Sequence, residues 1–249
     1  MTNTAIEYKN IGMSYGNNEI IKDFNLKIKN GEFITVLGTS GSGKTTILKM
    51  INGLIIPTEG DIYIHGENIR NKDIVKLRRN IGYSIQGSVL FPNMTVRENI
   101  AYVPNLLNKS DRERTNQAVE KWMNIVGLDR DLLQRYPDEL SGGQQQRVGI
   151  ARSLAASPDI LLMDEPFGSV DEITRYSLQK EILEIHKKTN ITVLFVTHDV
   201  NEALTLASKV LIMDKGKIEQ FATPEEIIKS PASNYVKGLI KKEIKAYNK

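Results

Sequence analysis

Gly38-Thr39-Ser40-Gly41-Ser42-Gly43-Lys44-Thr45 decides how this chain is read. The octapeptide follows the apolar run Phe33 to Leu37 and precedes Ile47, Leu48, Ile51 and Leu54 at helical spacing, so a buried strand, a glycine turn and an amphipathic helix are expected in that order. It fits G-x-x-x-x-G-K-[ST], and with glycine at about 7% of residues such a match arises by chance in roughly one chain in a hundred of this length. The strand-loop-helix setting lowers that further. Glycines let the backbone curl until successive N–H groups point at one phosphate, and the helix N-terminus adds partial positive charge. Lys44 would reach the β- and γ-phosphates, and the Thr45 hydroxyl would hold Mg²⁺. A flexible Gly/Ser turn is the alternative, but it gives no reason for Lys44-Thr45-Thr46 at the start of a helix.

Three further runs, Ile160 to Met163, Ile191 to Val196 and Val210 to Met213, lack period-two alternation and read as strands buried on both faces of a parallel sheet. Helix-like segments lie between them, which places the chain in the α/β class. The first sixty residues alternate instead, as in Ile6 and Tyr8 and in Leu26 and Ile28, and predict a small antiparallel β layer. Val89 to Pro158 is richer in charged and helix-forming residues and reads as a helical insertion within a single domain covering residues 1–249. In it, Arg112 to Val126 carries Ala118, Trp122, Ile125 and Val126 at helical spacing. The stretch Asn234 to Lys249 has Ile240, Ile244 and Tyr247 among lysines and reads as a solvated terminal helix.

Composition removes whole classes of function. Hydrophobic residues at 40% and charged residues at 25% are ordinary globular usage, against collagen-like, disordered or membrane-spanning chains. No apolar run approaches the ~20 residues needed to cross a bilayer, so any membrane role is expected to come through a partner. The opening residues carry Glu7 and Lys9 without an apolar core and predict no secretory leader. A net charge of +3 does not call for a nucleic-acid partner. With Cys 0, disulfides, thiolate metal sites and thiol nucleophiles are all excluded.

Ile160 to Met163 runs straight into Asp164-Glu165. Two carboxylates at the end of a buried parallel strand stand at the edge where open α/β sheets bind ligands. Asp164 suits a direct or indirect Mg²⁺ contact, and Glu165 suits polarising an attacking water as general base. A pair capping the turn at Pro166 is the alternative; alongside the phosphate loop, the pair completes a P-loop NTPase. Leu140-Ser141-Gly142-Gly143-Gln144 then opens a long helix through Gln146, Val148, Ala151 and Ala155. Glycine costs ~1 kcal/mol against alanine inside a helix. Two of them behind a Ser N-cap therefore suggest that an anion approaches the bare backbone and its free N–H groups.

At this point the chain resembles the ATP-binding subunits of ABC transporters: Leu140 to Gln144 matches their signature without substitution, and the resemblance runs from about Ile6 to about Ile228. It implies the ABC ATPase form of the P-loop fold, with ATP and Mg²⁺ as cofactors and a head-to-tail homodimer. Ser141 and Gly143 of one subunit would then bind the γ-phosphate held by Gly38, Thr39, Ser40, Gly41, Ser42, Gly43, Lys44, Thr45 and Thr46 of the other, with Gly142 and Gln144 beside them in the ATP-binding set. Tyr15 resembles the aromatic that stacks on adenine. Gln86 resembles the glutamine that touches Mg²⁺ and the attacking water and reports to the membrane subunit. His198 resembles the switch histidine at the γ-phosphate, whereas His65 and His186 read as ordinary surface residues. Asp171 resembles the family's D-loop aspartate, although Ser169-Val170 stands where Ala-Leu is usual.

A single cassette without long coiled coils or its own membrane spans is similar to importer subunits more than to translation factors, repair ATPases or exporters. The resemblance implies permease subunits, an extracytoplasmic solute-binding component and a place at the cytoplasmic face of the cell membrane. Ile81 to Pro104 is similar to the ATPases that drive uptake of glycine betaine, choline and carnitine. Systems for ergothioneine, sulfonates or amino acids remain the alternatives, because the cassette never touches the solute.

Overall fold

The computed structural model describes residues 3–85, 90–109, 111–168 and 170–241. The chain forms two compact units, Met1–Leu77 with Asn190–Lys249, and Arg78–Thr189.

In the first unit the alternating segments form β1 (Thr4–Tyr15) and β2 (Asn18–Lys29), paired antiparallel with Ile6 opposite Ile28 and Tyr8 opposite Leu26. The apolar run becomes β3 (Phe33–Gly38), buried along its whole length, and α1 (Lys44–Ile51) follows. Then come β4 (Glu59–Ile64), β5 (Glu67–Asn68) and α2 (Ile74–Arg79). The antiparallel layer has the order β2-β1-β4-β5. Tyr8 ties it to α1 by donating its hydroxyl to the Ile47 carbonyl at 2.9 Å, and burial holds that phenol's pKa well above the ordinary value.

Helix α1 stops earlier than its apolar spacing predicts. Gly53 N–H donates to Met50 O at 3.0 Å and Leu54 N–H to Lys49 O at 2.9 Å, a Schellman closure that ends the helix at Ile51. Leu54 therefore lies past the helix and is exposed, not on its buried face.

The second unit opens with β6 (Ile81–Ser84) and continues through α3 (Val96–Asn108), α4 (Arg112–Ile125) and α5 (Gly142–Leu154) to β7 (Ile160–Asp164) and α6 (Glu172–Thr189). Strands β6 and β7 run parallel, with Ser84 opposite Met163. The described residues between 90 and 158 hold helices and no strand, in keeping with their composition. Trp122 and, just past α4, Val126 are buried as expected, but Thr115, Val119 and Met123 complete the inward stripe while Ala118 and Ile125 flank it half-buried. Spacing alone left the phase of the helix open by one position, and packing settled it.

The chain then returns to the first unit with β8 (Thr192–Thr197), α7 (Val200–Leu206), β9 (Lys209–Asp214), β10 (Lys217–Ala222), α8 (Pro224–Lys229) and α9 (Asn234–Leu239). Strand β3 lies between β8 and β9, parallel to both. This two-sided burial is why these three runs show no alternation. The terminal segment is not a solvated helix throughout, because Val236 and Ile240 are fully buried in a cluster with Leu37, Val210, Ile212 and Ile227; Ile244 and Tyr247 lie outside the described residues. Among the described residues no helix is long and apolar enough to cross a membrane.

Candidate functional site

Strand β3 delivers Gly38 into a space that admits no side chain. A Cβ there would lie 2.3 Å from the Met213 carbonyl oxygen and 2.7 Å from Ser42 Oγ. The loop then folds back, Ser42 N–H donating to Thr39 O at 3.2 Å, and Gly216 N–H from the turn between β9 and β10 donating to Ser42 O at 3.2 Å. Gly43 is the N-cap of α1 at φ 97, a left-handed conformation that suits glycine, and offers no side-chain cap to the helix. The positive end of α1 thus opens on the loop. Lys44 is buried, and its ammonium donates to the carbonyls of Gly38 and Thr39, at 2.8 Å each. Ser42 Oγ is buried with no hydrogen-bond partner among the described residues. A hydroxyl, an ammonium and a ring of backbone amides around a glycine turn fit a polyphosphate.

Parallel pairing sets Leu37 opposite Thr197, so Gly38 and His198, the residue just past β8, follow next at the same carboxyl edge. His198 is exposed there, and the residues around it are clamped. Thr197 Oγ1 accepts from Asp199 N–H at 3.0 Å and donates to the buried Glu202 carboxylate, while Asp199 Oδ1 caps α7 through Glu202 N–H at 3.0 Å. Sequence reasoning missed Thr197 and Glu202 in this role. The acid pair Asp199 and Glu202, three apart, is a helix-start signal that could have pointed to them. Tyr15 ends β1 opposite Asn18 and is 52% exposed. It belongs to the hairpin whose Ile21 sits 3.3 Å from where a Gly43 side chain would be. The first unit therefore brings together the loop, His198 and the hairpin that carries Tyr15.

In the second unit Asp164 closes β7 and is buried. On β6, burial first and the Asp164 charge second push the Tyr83 phenol up to about 12. Glu165 follows at φ 44, a left-handed conformation uncommon for a residue with a side chain and typical of constrained sites. Its carbonyl accepts from Gly168 N–H at 3.3 Å. The start of α5 is held by a reciprocal cap: Ser141 N–H donates to Gln144 Oε1 at 2.9 Å and Gln144 N–H to Ser141 Oγ at 3.3 Å. Space opens in front of Gly142, whereas Gly143 faces the Thr174 methyl, 2.8 Å from where a Cβ would stand. Packing against α6 thus gives Gly143 a second reason to be glycine. Asp171 is exposed and caps α6 by accepting from Thr174 N–H at 3.0 Å, and hydrogen bonds from the Thr174 side chain and backbone hold its pKa below the ordinary carboxylate value.

Buried Gln146 donates its amide to the Pro166 carbonyl, joining α5 to the turn after Glu165. Its side chain was legible only as helix filler, and a polar residue on a buried helical face was the available signal. Gln86 and Ser169 lie outside the described residues. Among the described residues no group of three or more His, Cys, Asp or Glu could hold a metal by itself. In the first unit Thr45 offers a hydroxyl and in the second Asp164 offers a carboxylate, each a hard oxygen donor of the kind that suits Mg²⁺.

Residues 21–168 match the ABC transporter family. The chain is 48% identical over 239 residues to the carnitine transport ATP-binding protein OpuCA of Listeria monocytogenes, covering 96% of this chain and 60% of that protein. It therefore spans about three fifths of that relative's length. Identity is 45% over 232 residues to the glycine betaine uptake system ATP-binding protein YehX of Escherichia coli, covering 93% of this chain and 75% of that protein. Among solved structures, the dimeric post-hydrolysis state of the ATP-binding cassette MJ0796 bound to ADP and phosphate aligns with a TM-score of 0.78 at 33% identity, over 88% of this chain and 98% of that one. By sequence match and by fold alike, this chain belongs to the ABC transporter family.

Proposed function

We propose that this chain is the ATP-hydrolysing subunit of a membrane importer, and that the solute is a small quaternary amine such as glycine betaine, choline or carnitine. The ATPase part rests above all on the glycine loop at the carboxyl edge of β3, with the Lys44 ammonium folded onto it and His198 just past the neighbouring strand. Phosphoryl transfer asks a protein for positioning and charge more than for covalent chemistry. The backbone amides at the turn into α1 and the positive end of that helix would hold the triphosphate, and Lys44 would turn from its carbonyl partners to the β- and γ-oxygens. Bound Mg²⁺, held by Thr45, Asp164 and Gln86, would neutralise charge on those oxygens. Glu165 would accept the proton of the attacking water, and His198 would contact the γ-phosphate. Tyr15 would stack on adenine.

The first turn of α5, with Ser141, Gly142, Gly143 and Gln144, would meet the γ-phosphate held by a second copy, with Asp171 at the same dimer contact. Support for this pairing comes from the dimeric state of the solved relative. Permease subunits would dock through Gln86 and Phe91 and keep the chain at the cytoplasmic face, and an extracytoplasmic component would bind the solute. The quaternary amine is supported by the names of the relatives at 48% and 45% identity. Deleting the gene should abolish uptake of labelled quaternary amines, while the purified chain binds none of them. If that uptake persists and sulfonate, amino-acid or ergothioneine uptake fails instead, the solute is wrong and the ATPase proposal stands.

A further inference from the structure

Helix α9 lies outside every motif named so far, yet one of its side chains reaches the phosphate loop. Tyr235 Oη accepts from Thr39 N–H at 3.3 Å and donates to the Met213 carbonyl at 3.4 Å. Thr39 N–H and Gly38 C=O belong to the same peptide plane. The carbonyl end of that plane accepts from Lys44 Nζ at 2.8 Å, so Tyr235 and Lys44 grip opposite ends of one peptide. Glycine on one side leaves this peptide with unusual rotational freedom, and two partners remove it. Met213 pairs with Gly38 across β9 and β3, so the tyrosine spans from the strand beside the loop to the loop itself.

The position of Tyr235 is fixed independently of the loop. Its neighbour Val236 and Ile240 are fully buried in the cluster under β3 and β9. Ser233 caps α9 through Val236 N–H at 3.3 Å and donates to Glu219 of β10 at 2.6 Å. Gln220 of β10 binds the connecting segment at both ends, accepting from Ala232 N–H at 2.9 Å and donating to Ser230 O at 3.0 Å.

We infer that Tyr235 is a positioning residue for nucleotide binding: its hydroxyl orients the Gly38–Thr39 peptide and thereby sets the carbonyl on which the Lys44 ammonium rests before phosphate arrives. This rests on the proposal that the loop binds ATP. The tyrosine itself touches no reacting atom. Its effect belongs in affinity, because it prepares the free loop and is not placed to act in the chemical step.

Tyr235→Phe keeps the ring and removes both hydrogen bonds. With threonine-selective ¹⁵N labelling, amide exchange at Thr39 should speed up about two- to tenfold, the size of one ordinary hydrogen bond. In the same variant the KM for ATP should rise by about the same factor, with kcat unchanged. Thr39 exchange and KM both at wild-type values would overturn the inference, as would a loss confined to kcat. Wild-type protein that binds no ATP would overturn the function proposed for the loop instead, and Thr39 exchange would still decide whether Tyr235 holds that peptide.

Discussion

Lys44 holds two carbonyls with its ammonium in a loop proposed to hold phosphate. Lys44→Ala removes the one cation of the loop, and charge-assisted hydrogen bonds contribute about 1.5–3 kcal/mol each. ATP affinity with Mg²⁺ should therefore fall at least about tenfold in an equilibrium binding measurement with labelled nucleotide. Unchanged affinity and turnover would remove the loop from the mechanism. The loop was legible in the sequence because every residue of its pattern does its work through backbone freedom or one reach of a side chain, both local properties. The clamp on His198 was not. Thr197 and Glu202 act through a hydrogen bond that exists only once β8 and α7 are packed, and the Gln146 amide finds Pro166 twenty residues away in the chain.

Among elements, α5 and α3 begin with the same device, a reciprocal cap by Ser141 and Gln144 in one and by Thr95 and Glu98 in the other. Replacing either hydroxyl residue by alanine should cost about 1 kcal/mol of stability in denaturant titrations. Only Ser141→Ala should also depress ATP turnover in the proposed dimer, because the start of α3 has no part in the proposed site. Equal turnover in the two variants would leave Ser141 a helix cap and nothing more. Strands β6 and β7 offer a pH test. The Tyr83 phenol has its folded pKa raised from 10.0 to about 12, so its contribution is complete below the unfolded value and is lost as pH climbs through the folded one. Stability should thus fall between roughly pH 10 and pH 12, and Tyr83→Phe should flatten that fall in urea midpoints measured across the range. A slope identical to wild type would show that Tyr83 is not the titrating group. The four unalternating apolar runs were legible as strands, since burial on both faces is written into composition. Their neighbours were not, because strand order depends on contacts between residues far apart in sequence. Half of the α4 stripe and the buried residues of α9 were misjudged for the same reason.

Across the whole molecule, the unit Met1–Leu77 with Asn190–Lys249 carries the phosphate loop and His198, and the unit Arg78–Thr189 carries Asp164, Glu165 and the start of α5. Partner docking is proposed for the second. Phe91 packs against Tyr102 with ring centroids 4.8 Å apart, and the Arg152 guanidinium lies 4.9 Å from its ring centre. Phe91→Asp would put a charge in an apolar contact, and should abolish uptake in reconstituted vesicles while the isolated chain keeps its ATPase rate within about twofold. Uptake that survives would place the contact elsewhere. The most direct test of the central claim is phosphate release from Mg²⁺–ATP by purified wild type and Glu165→Gln side by side, with molecular mass followed by light scattering. Wild type should turn over, and the variant should lose at least about 10²-fold and double its mass only with ATP, since the amide keeps the shape but cannot take the proton. Equal phosphate release by the two proteins would contradict it.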